Sequence, residues 1–140
     1  MIVWSEKDML DFGKKIAISW YKNILIYGDL GVGKTHFVKW FVSEVLKKNK
    51  SQDFDVKSPT YTYTNLYLDK VSHFDFYRVE DDKLLQSYGL IDLIEQYEYV
   101  LIERPKFEEK YINIKTDWFK IYITKLDNDN RQVDIVYHRN

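Results

Sequence analysis

Gly28-Asp29-Leu30-Gly31-Val32-Gly33-Lys34-Thr35 decides the reading of this chain. The stretch fits the phosphate-binding pattern G-x-x-x-x-G-K-[ST]. Gly28 and Gly33 open backbone conformations closed to other residues, so successive N–H groups can turn inward around an anion. The Lys34 ammonium reaches toward β- and γ-phosphates as a point charge, and the Thr35 hydroxyl suits a Mg²⁺ ligand. Upstream, Asn23-Ile24-Leu25-Ile26-Tyr27 reads as a short buried strand. Downstream, the residues after Gly33 read as a helix, whose dipole would aim its positive end at the phosphates. A glycine-rich turn that binds nothing is the plain alternative, and the strand–loop–helix setting argues against it. The expected ligand is a nucleoside triphosphate.

Composition limits the remaining possibilities. The 140 residues suffice for one domain, 1–140, and the 45% apolar and 17% aromatic content argue for a packed core rather than disorder. With no cysteine, disulfides, thiolate metal sites and thiol catalysis are excluded. The N-terminus has no signal-like apolar region and no stretch approaches the length of a membrane span, so the expectation is a cytoplasmic protein without a membrane partner. A net charge of -1 gives no chain-wide electrostatic footprint for nucleic acid. Lys47, Lys48 and Lys50 cluster where the helix after the phosphate loop should end, which suits complementing its C-terminal dipole.

Apolar spacing at Met9, Phe12, Ile16 and Trp20 predicts an amphipathic helix over 6–21, with Ser5 and Asp8 as a capping arrangement. Phe37, Phe41 and Val45 interleave with Val38, Val42 and Leu46 to give the next helix a wide apolar face. Residues 49–57 read as a loop, 61–68 and 71–77 as strands around Asp69-Lys70, and 80–88 as a weak helix ended by Gly89. Residues 90–96 suit a second short helix, and Tyr99-Val100-Leu101-Ile102 a buried strand stopped by Glu103-Arg104-Pro105. Strands over 118–124 and 131–138 flank a turn at 127–130. This order predicts an α/β fold: a three-layer P-loop NTPase domain with a central mixed, partly parallel sheet and added antiparallel hairpins.

A phosphate loop needs an acidic position to organise Mg²⁺ or the attacking water. Glu103 ends an apolar strand, where such a carboxylate is usually presented; the alternative is a solvated strand terminus. Asp75 lies in His73-Phe74-Asp75-Phe76-Tyr77-Arg78 and is the second candidate; the alternative is a structural pair with Arg78 or His73. His73 itself reads as a core histidine. Ser58-Pro59-Thr60 falls where a switch segment often lies, with Thr60 able to contact Mg²⁺ or the γ-phosphate. Thr124-Lys125-Leu126-Asp127 fits the [NT]-K-x-D base-reading signature of GTPases, but no D-x-x-G precedes it, and it reads as the start of a hairpin turn.

Taken together, the 28–35 loop, Ser58-Pro59-Thr60-Tyr61-Thr62, His73-x-Asp75-x-Tyr77-Arg78 and Ile102-Glu103-x-Pro105 resemble, in order and spacing, the bacterial TsaE (YjeE) family. The resemblance implies a small P-loop ATPase of tRNA N6-threonylcarbamoyladenosine biosynthesis. It implies ATP and Mg²⁺ as cofactors and TsaD- and TsaB-like transferase subunits as partners, with tRNA contacted only indirectly or weakly. Hydrolysis would support turnover of the complex rather than form the carbamoyl bond. Carried over by position, residues 28–35 and Thr60 would meet the nucleotide, Thr35 and Glu103 the Mg²⁺, and Lys34, Glu103 and Asp75 would serve catalysis. Arg131, near the final strand, would approach the nucleotide. Two positions depart from the family pattern: Arg104 stands where tryptophan is usual and Met9 where threonine is common.

The implied chemistry is phosphoryl transfer to water, with Lys34, Mg²⁺ and backbone N–H dipoles stabilising charge. Neither Arg78 nor Arg104 stands out as an arginine finger, so slow hydrolysis stimulated by a partner is expected. Two other classes fit the loop: a small-molecule kinase using Asp75 as proton acceptor, and a nucleotide-gated binding module without essential turnover.

Overall fold

The central strand follows directly from its composition. Ile24, Leu25 and Ile26 are wholly buried, each burial contributing about 1.5–3 kcal/mol, and a strand apolar on both faces is stable only between two covered layers. The computed structural model describes residues 2–18, 21–28, 34–48, 63–127 and 130–140. In chain order they form β1 (Ile2–Ser5), α1 (Glu6–Ile18), β2 (Asn23–Tyr27), α2 (Lys34–Lys48), β3 (Thr64–Tyr67), β4 (Val71–Asp75), α3 (Lys83–Ser87), α4 (Leu90–Gln96), β5 (Tyr99–Glu103), β6 (Asp117–Lys125) and β7 (Asn130–Arg139). Two short 3₁₀ turns, Glu108–Lys110 and Ile112–Ile114, lie between β5 and β6.

The seven strands form one sheet in the order β1-β7-β6-β2-β5-β4-β3. The β4–β5, β5–β2 and β2–β6 pairs are parallel, and β3–β4, β6–β7 and β1–β7 are antiparallel. This is the mixed α/β sheet with added hairpins that the sequence predicts. Side-chain alternation divides the core by face. Ile24, Ile26, Leu101, Ile121 and Ile123 pack with Phe12 and Ile16 of α1 and Phe37, Val38, Phe41 and Val42 of α2. Leu25, Phe74, Val100, Ile102 and Trp118 pack on the other face with Leu85 of α3 and Leu90 and Ile94 of α4. Three layers result.

Several boundaries differ from the sequence reading. β1 is absent from it, because four residues carry no usable periodicity and pairing with β7 decides the strand. The helix expected over 80–88 is shorter: α3 starts at Lys83, after a turn in which Asp81 Oδ1 accepts the Lys83 N–H at 2.9 Å. The 3₁₀ turns after β5 show no repeat in the sequence; Trp118 ties them to β6 by donating its indole N–H to the Ile112 carbonyl at 2.7 Å. Asp29, Leu30, Gly31, Val32, Gly33, the loop at 49–57 and Thr60 lie outside the described residues. Among the described residues, no helix is long and apolar enough to cross a membrane.

Candidate functional site

Strand direction gathers the chemistry. β2, β4, β5 and β6 run parallel, so Gly28, Asp75, Glu103 and Lys125 come to the same edge of the sheet. β2 lies between β5 and β6, and chain order reverses about it, the kind of crevice where open α/β sheets place ligands. Of the antiparallel strands, β3 begins at this edge, where the Asp75 N–H donates to the Tyr63 carbonyl at 3.0 Å, and the β6–β7 hairpin turns there, with Arg131 paired to Lys125.

Gly28 follows β2 with φ 151°, inside the region that favours glycine, and sets the chain's direction out of the strand. Lys34 opens α2 and is 5% exposed. Its Nζ donates to the Gly28 carbonyl, so the ammonium folds back from the head of α2 to the end of β2. Thr35, next on α2, is exposed. A hydroxyl at a helix start and a carboxylate at the same sheet edge, that of Glu103, are both oxygen donors. Such a set suits Mg²⁺, which keeps several waters and takes one or two protein ligands beside phosphate oxygens. Among the described residues, no cluster of three or more His, Asp or Glu forms a self-sufficient metal cage.

Asp75 and Glu103 end neighbouring strands and are Cα partners in the β4–β5 ladder. Both are buried. Their side chains are bound differently. The Asp75 carboxylate takes both ends of the Arg104 guanidinium: Arg104 Nε donates to Oδ1 at 3.1 Å and Nη2 donates to Oδ2. Oδ1 also accepts the Tyr77 N–H at 3.0 Å. Thus Asp75 is paired with neither Arg78 nor His73, the two partners weighed for it from sequence. Glu103 is paired with His73, whose Nε2 lies 2.5 Å from Oε2. His73 is fully buried, as expected of a core histidine, but it belongs to the site. The sequence signal for both contacts was the motif itself; what was missing was the parallel register that sets β4 beside β5.

Arg104 adopts φ 47°, a left-handed conformation costing about 1–3 kcal/mol in a non-glycine residue. Its N–H donates to the Ile26 carbonyl at 2.9 Å and its Cζ stands 4.4 Å from the Tyr77 ring centroid. These contacts, with the Asp75 fork, hold the turn. Lys106 Nζ donates to the carbonyls of Tyr77 and Val79 at 2.5 and 3.3 Å. Beside them opens a cavity of about 670 Å³ lined by Tyr63, Tyr77, Arg78, Glu80, Leu84 and Lys106. Arg131 is buried on β7, two strands from β2 on the side away from Glu103. The Thr124–Asp127 stretch closes the β6–β7 hairpin, with the Leu126 N–H donating to the Asn130 carbonyl at 2.8 Å, as the turn reading expects.

The family model of TsaE, the threonylcarbamoyl adenosine biosynthesis protein, matches residues 3–133. The chain belongs to the TsaE family. It is 35% identical over 108 residues to the tRNA threonylcarbamoyladenosine biosynthesis protein TsaE of Haemophilus influenzae, covering 70% of this chain and 65% of that protein. To the Aquifex aeolicus TsaE it is 38% identical over 86 residues, 58% of this chain and 62% of the relative. The chain thus spans a little under two thirds of the length of these two relatives. The Rickettsia bellii TsaE is 28% identical over 141 residues, covering 96% of this chain and 92% of its own. Among solved structures, Bacillus subtilis YdiB superposes with a TM-score of 0.61 at 20% identity, covering 99% of this chain and 86% of YdiB, a likeness of fold.

Proposed function

We propose that this chain is the ATP-binding, slowly ATP-hydrolysing subunit of the bacterial machinery that makes tRNA N6-threonylcarbamoyladenosine. It would act in the cytoplasm, supporting turnover of a transferase built from TsaD- and TsaB-like subunits. One observation carries the reading. Lys34 is buried at the head of α2 and turned onto the Gly28 carbonyl, at the same sheet edge as the Glu103 carboxylate.

In this reading the backbone of residues 28–35 and the Lys34 ammonium hold the triphosphate, and Lys34 exchanges the Gly28 carbonyl for phosphate oxygens. Thr35 and Glu103 would hold Mg²⁺, which when bound neutralises charge on the β- and γ-oxygens. Glu103 orients the attacking water. Thr60 and Arg131 would contact the nucleotide. Asp75 serves indirectly, by fixing the Arg104 turn that follows Glu103. A small-molecule kinase would need Asp75 to accept a substrate's proton, and its oxygens are already engaged by Arg104 and the Tyr77 N–H. Water is therefore the favoured acceptor of the phosphoryl group.

The net charge of -1 supplies no broad basic surface for tRNA, which accords with reliance on partner subunits. The test is multiple-turnover modification of tRNA by reconstituted transferase subunits with wild-type chain, Lys34→Ala or no addition. Modification beyond the first turnover should require the wild type. Equal modification in all three would overturn the assignment to tRNA modification, even if ATPase activity remained.

A further inference from the structure

We propose that His73 is a positioning residue that fixes the Glu103 carboxylate for Mg²⁺, an inference that rests on the reading of Glu103 given above. His73 lies in the middle of β4 opposite Leu101, so its side chain shares a face with Glu103 two residues along β5. Both side chains are buried, and Nε2 meets Oε2 at 2.5 Å. The ring of Tyr67 lies beside the imidazole, with centroids 6.4 Å apart and planes 22° apart.

Proton accounting gives the contact its direction. An ionised carboxylate only accepts, so the imidazole must carry its hydrogen on Nε2 to bond Glu103. Nδ1 is buried and has no hydrogen-bond partner among the described residues, which suits a bare lone pair there better than an N–H. With its hydrogen on Nε2, the ring serves Glu103 alone. Asp75, the other group beside Glu103, is taken up by Arg104 and the Tyr77 N–H. Among the described residues, His73 is the only side chain hydrogen-bonded to the Glu103 carboxylate, and it takes Oε2 and leaves Oε1. A carboxylate that ligates a cation works best when its other oxygen is held, and loss of such a holding group typically costs about 10–100-fold in metal affinity or activity.

Glutamine and asparagine separate positioning from packing. A glutamine amide sits where Nε2 was and can still donate to Glu103, whereas an asparagine amide stops near the Nδ1 position. Full-length wild type, His73→Gln and His73→Asn are compared for ATP affinity in EDTA and for ATP affinity and hydrolysis across a Mg²⁺ titration. All three should bind ATP alike in EDTA. Wild type and His73→Gln should share one half-saturating Mg²⁺ concentration, and His73→Asn should need about 10–100-fold more. The proposal is overturned if His73→Asn keeps the wild-type Mg²⁺ requirement, if His73→Gln loses it as fully as His73→Asn, or if His73→Asn loses binding in EDTA as well. Glu103→Gln is run in parallel: an unchanged Mg²⁺ requirement there would refute the role of Glu103 itself, separately from that of His73.

Discussion

Asp75 and Glu103 stand side by side in the parallel β4–β5 ladder, yet Arg104 binds the first and His73 the second. Neighbouring strands are about 4.8 Å apart, so two ionised carboxylates on one buried face would repel strongly if left bare. Separate partners resolve that conflict and give the two acids different duties. Asp75 accepts three hydrogen bonds across both oxygens, while Glu103 is hydrogen-bonded through Oε2 among the described residues.

Arg104→Ala should strip Asp75 of both guanidinium contacts while leaving it buried, costing about 3–5 kcal/mol of folding stability. Asp75→Asn in the same background should relieve much of that loss, because it removes the unpaired charge. The double-mutant cycle should show a coupling energy of about 0.5–3 kcal/mol, read from urea unfolding. Arg104→Lys should recover little, since an ammonium cannot reproduce the two-pronged contact. Additive effects in the cycle would mean that the pair contributes nothing as a unit.

Glu103→Gln should lower ATP hydrolysis about 100-fold while changing ATP affinity much less, because the phosphate contacts of residues 28–35 remain. Lys34→Ala should abolish turnover and weaken binding together. It also leaves the Gly28 carbonyl without its donor, a stability loss of about 1–3 kcal/mol that a domain of ordinary stability survives. Steady-state hydrolysis, equilibrium binding and urea unfolding of the same preparations separate these effects. If Asp75→Asn loses hydrolysis and Glu103→Gln does not, the two carboxylate roles are reversed.

Local signals carried the fold a long way. Ile24, Leu25 and Ile26 between a turn and a glycine-rich loop, and Phe37 through Leu46 at helical spacing, announce the central strand and its helix without tertiary information. Glu103 was legible because it ends an apolar run. Its partner was not. His73 and Glu103 lie 30 residues apart in sequence, and only strand order and register put them on one face. The same reason hid the Asp75–Arg104 pair. Strand β1 was illegible for a different reason: four residues become a strand only because β7 offers an edge to pair with.

Tyr111 gives a pH prediction. Its ring is fully buried against Phe76 and Trp118, and burial first, then the nearby charges of Glu108 and Glu109, raise its pKa well above the ordinary value of 10.0. The folded pKa therefore exceeds the unfolded one. Stability from this group is complete below about pH 10 and is lost as pH rises beyond it, because the unfolded chain releases the proton first. Each such group contributes a slope of up to about 1.4 kcal/mol per pH unit. Urea unfolding between pH 9 and about pH 11 should show stability falling, and Tyr111→Phe should make the fall shallower by up to one group's worth. An identical slope in the variant would show that Tyr111 ionises as readily folded as unfolded.

Two glycines should fail on substitution by alanine for opposite reasons. Gly13 lies within α1, where alanine is favoured by about 0.8–1.0 kcal/mol over glycine. A Cβ there would stand 2.8 Å from the Phe37 carbonyl oxygen and 3.1 Å from Trp40 Cβ, both on α2. The nearest obstacle is backbone and cannot swing aside, so overpacking of about 1–3 kcal/mol should outweigh the helical gain. Gly89 meets nothing within 4 Å, but its φ of 70° is left-handed, and Gly89→Ala should cost about 1–2 kcal/mol through backbone strain. Asparagine tolerates that conformation and should recover part of the loss at position 89 but none at position 13. The functional readouts should differ too. Phe37 is three residues beyond Lys34, so pushing α2 away from α1 moves the head of the helix that carries the lysine. Gly13→Ala should therefore weaken ATP binding along with stability, whereas Gly89→Ala should lower stability and leave ATP binding unchanged. Equal effects of the two variants on ATP affinity would refute the close α1–α2 packing as the support for Lys34.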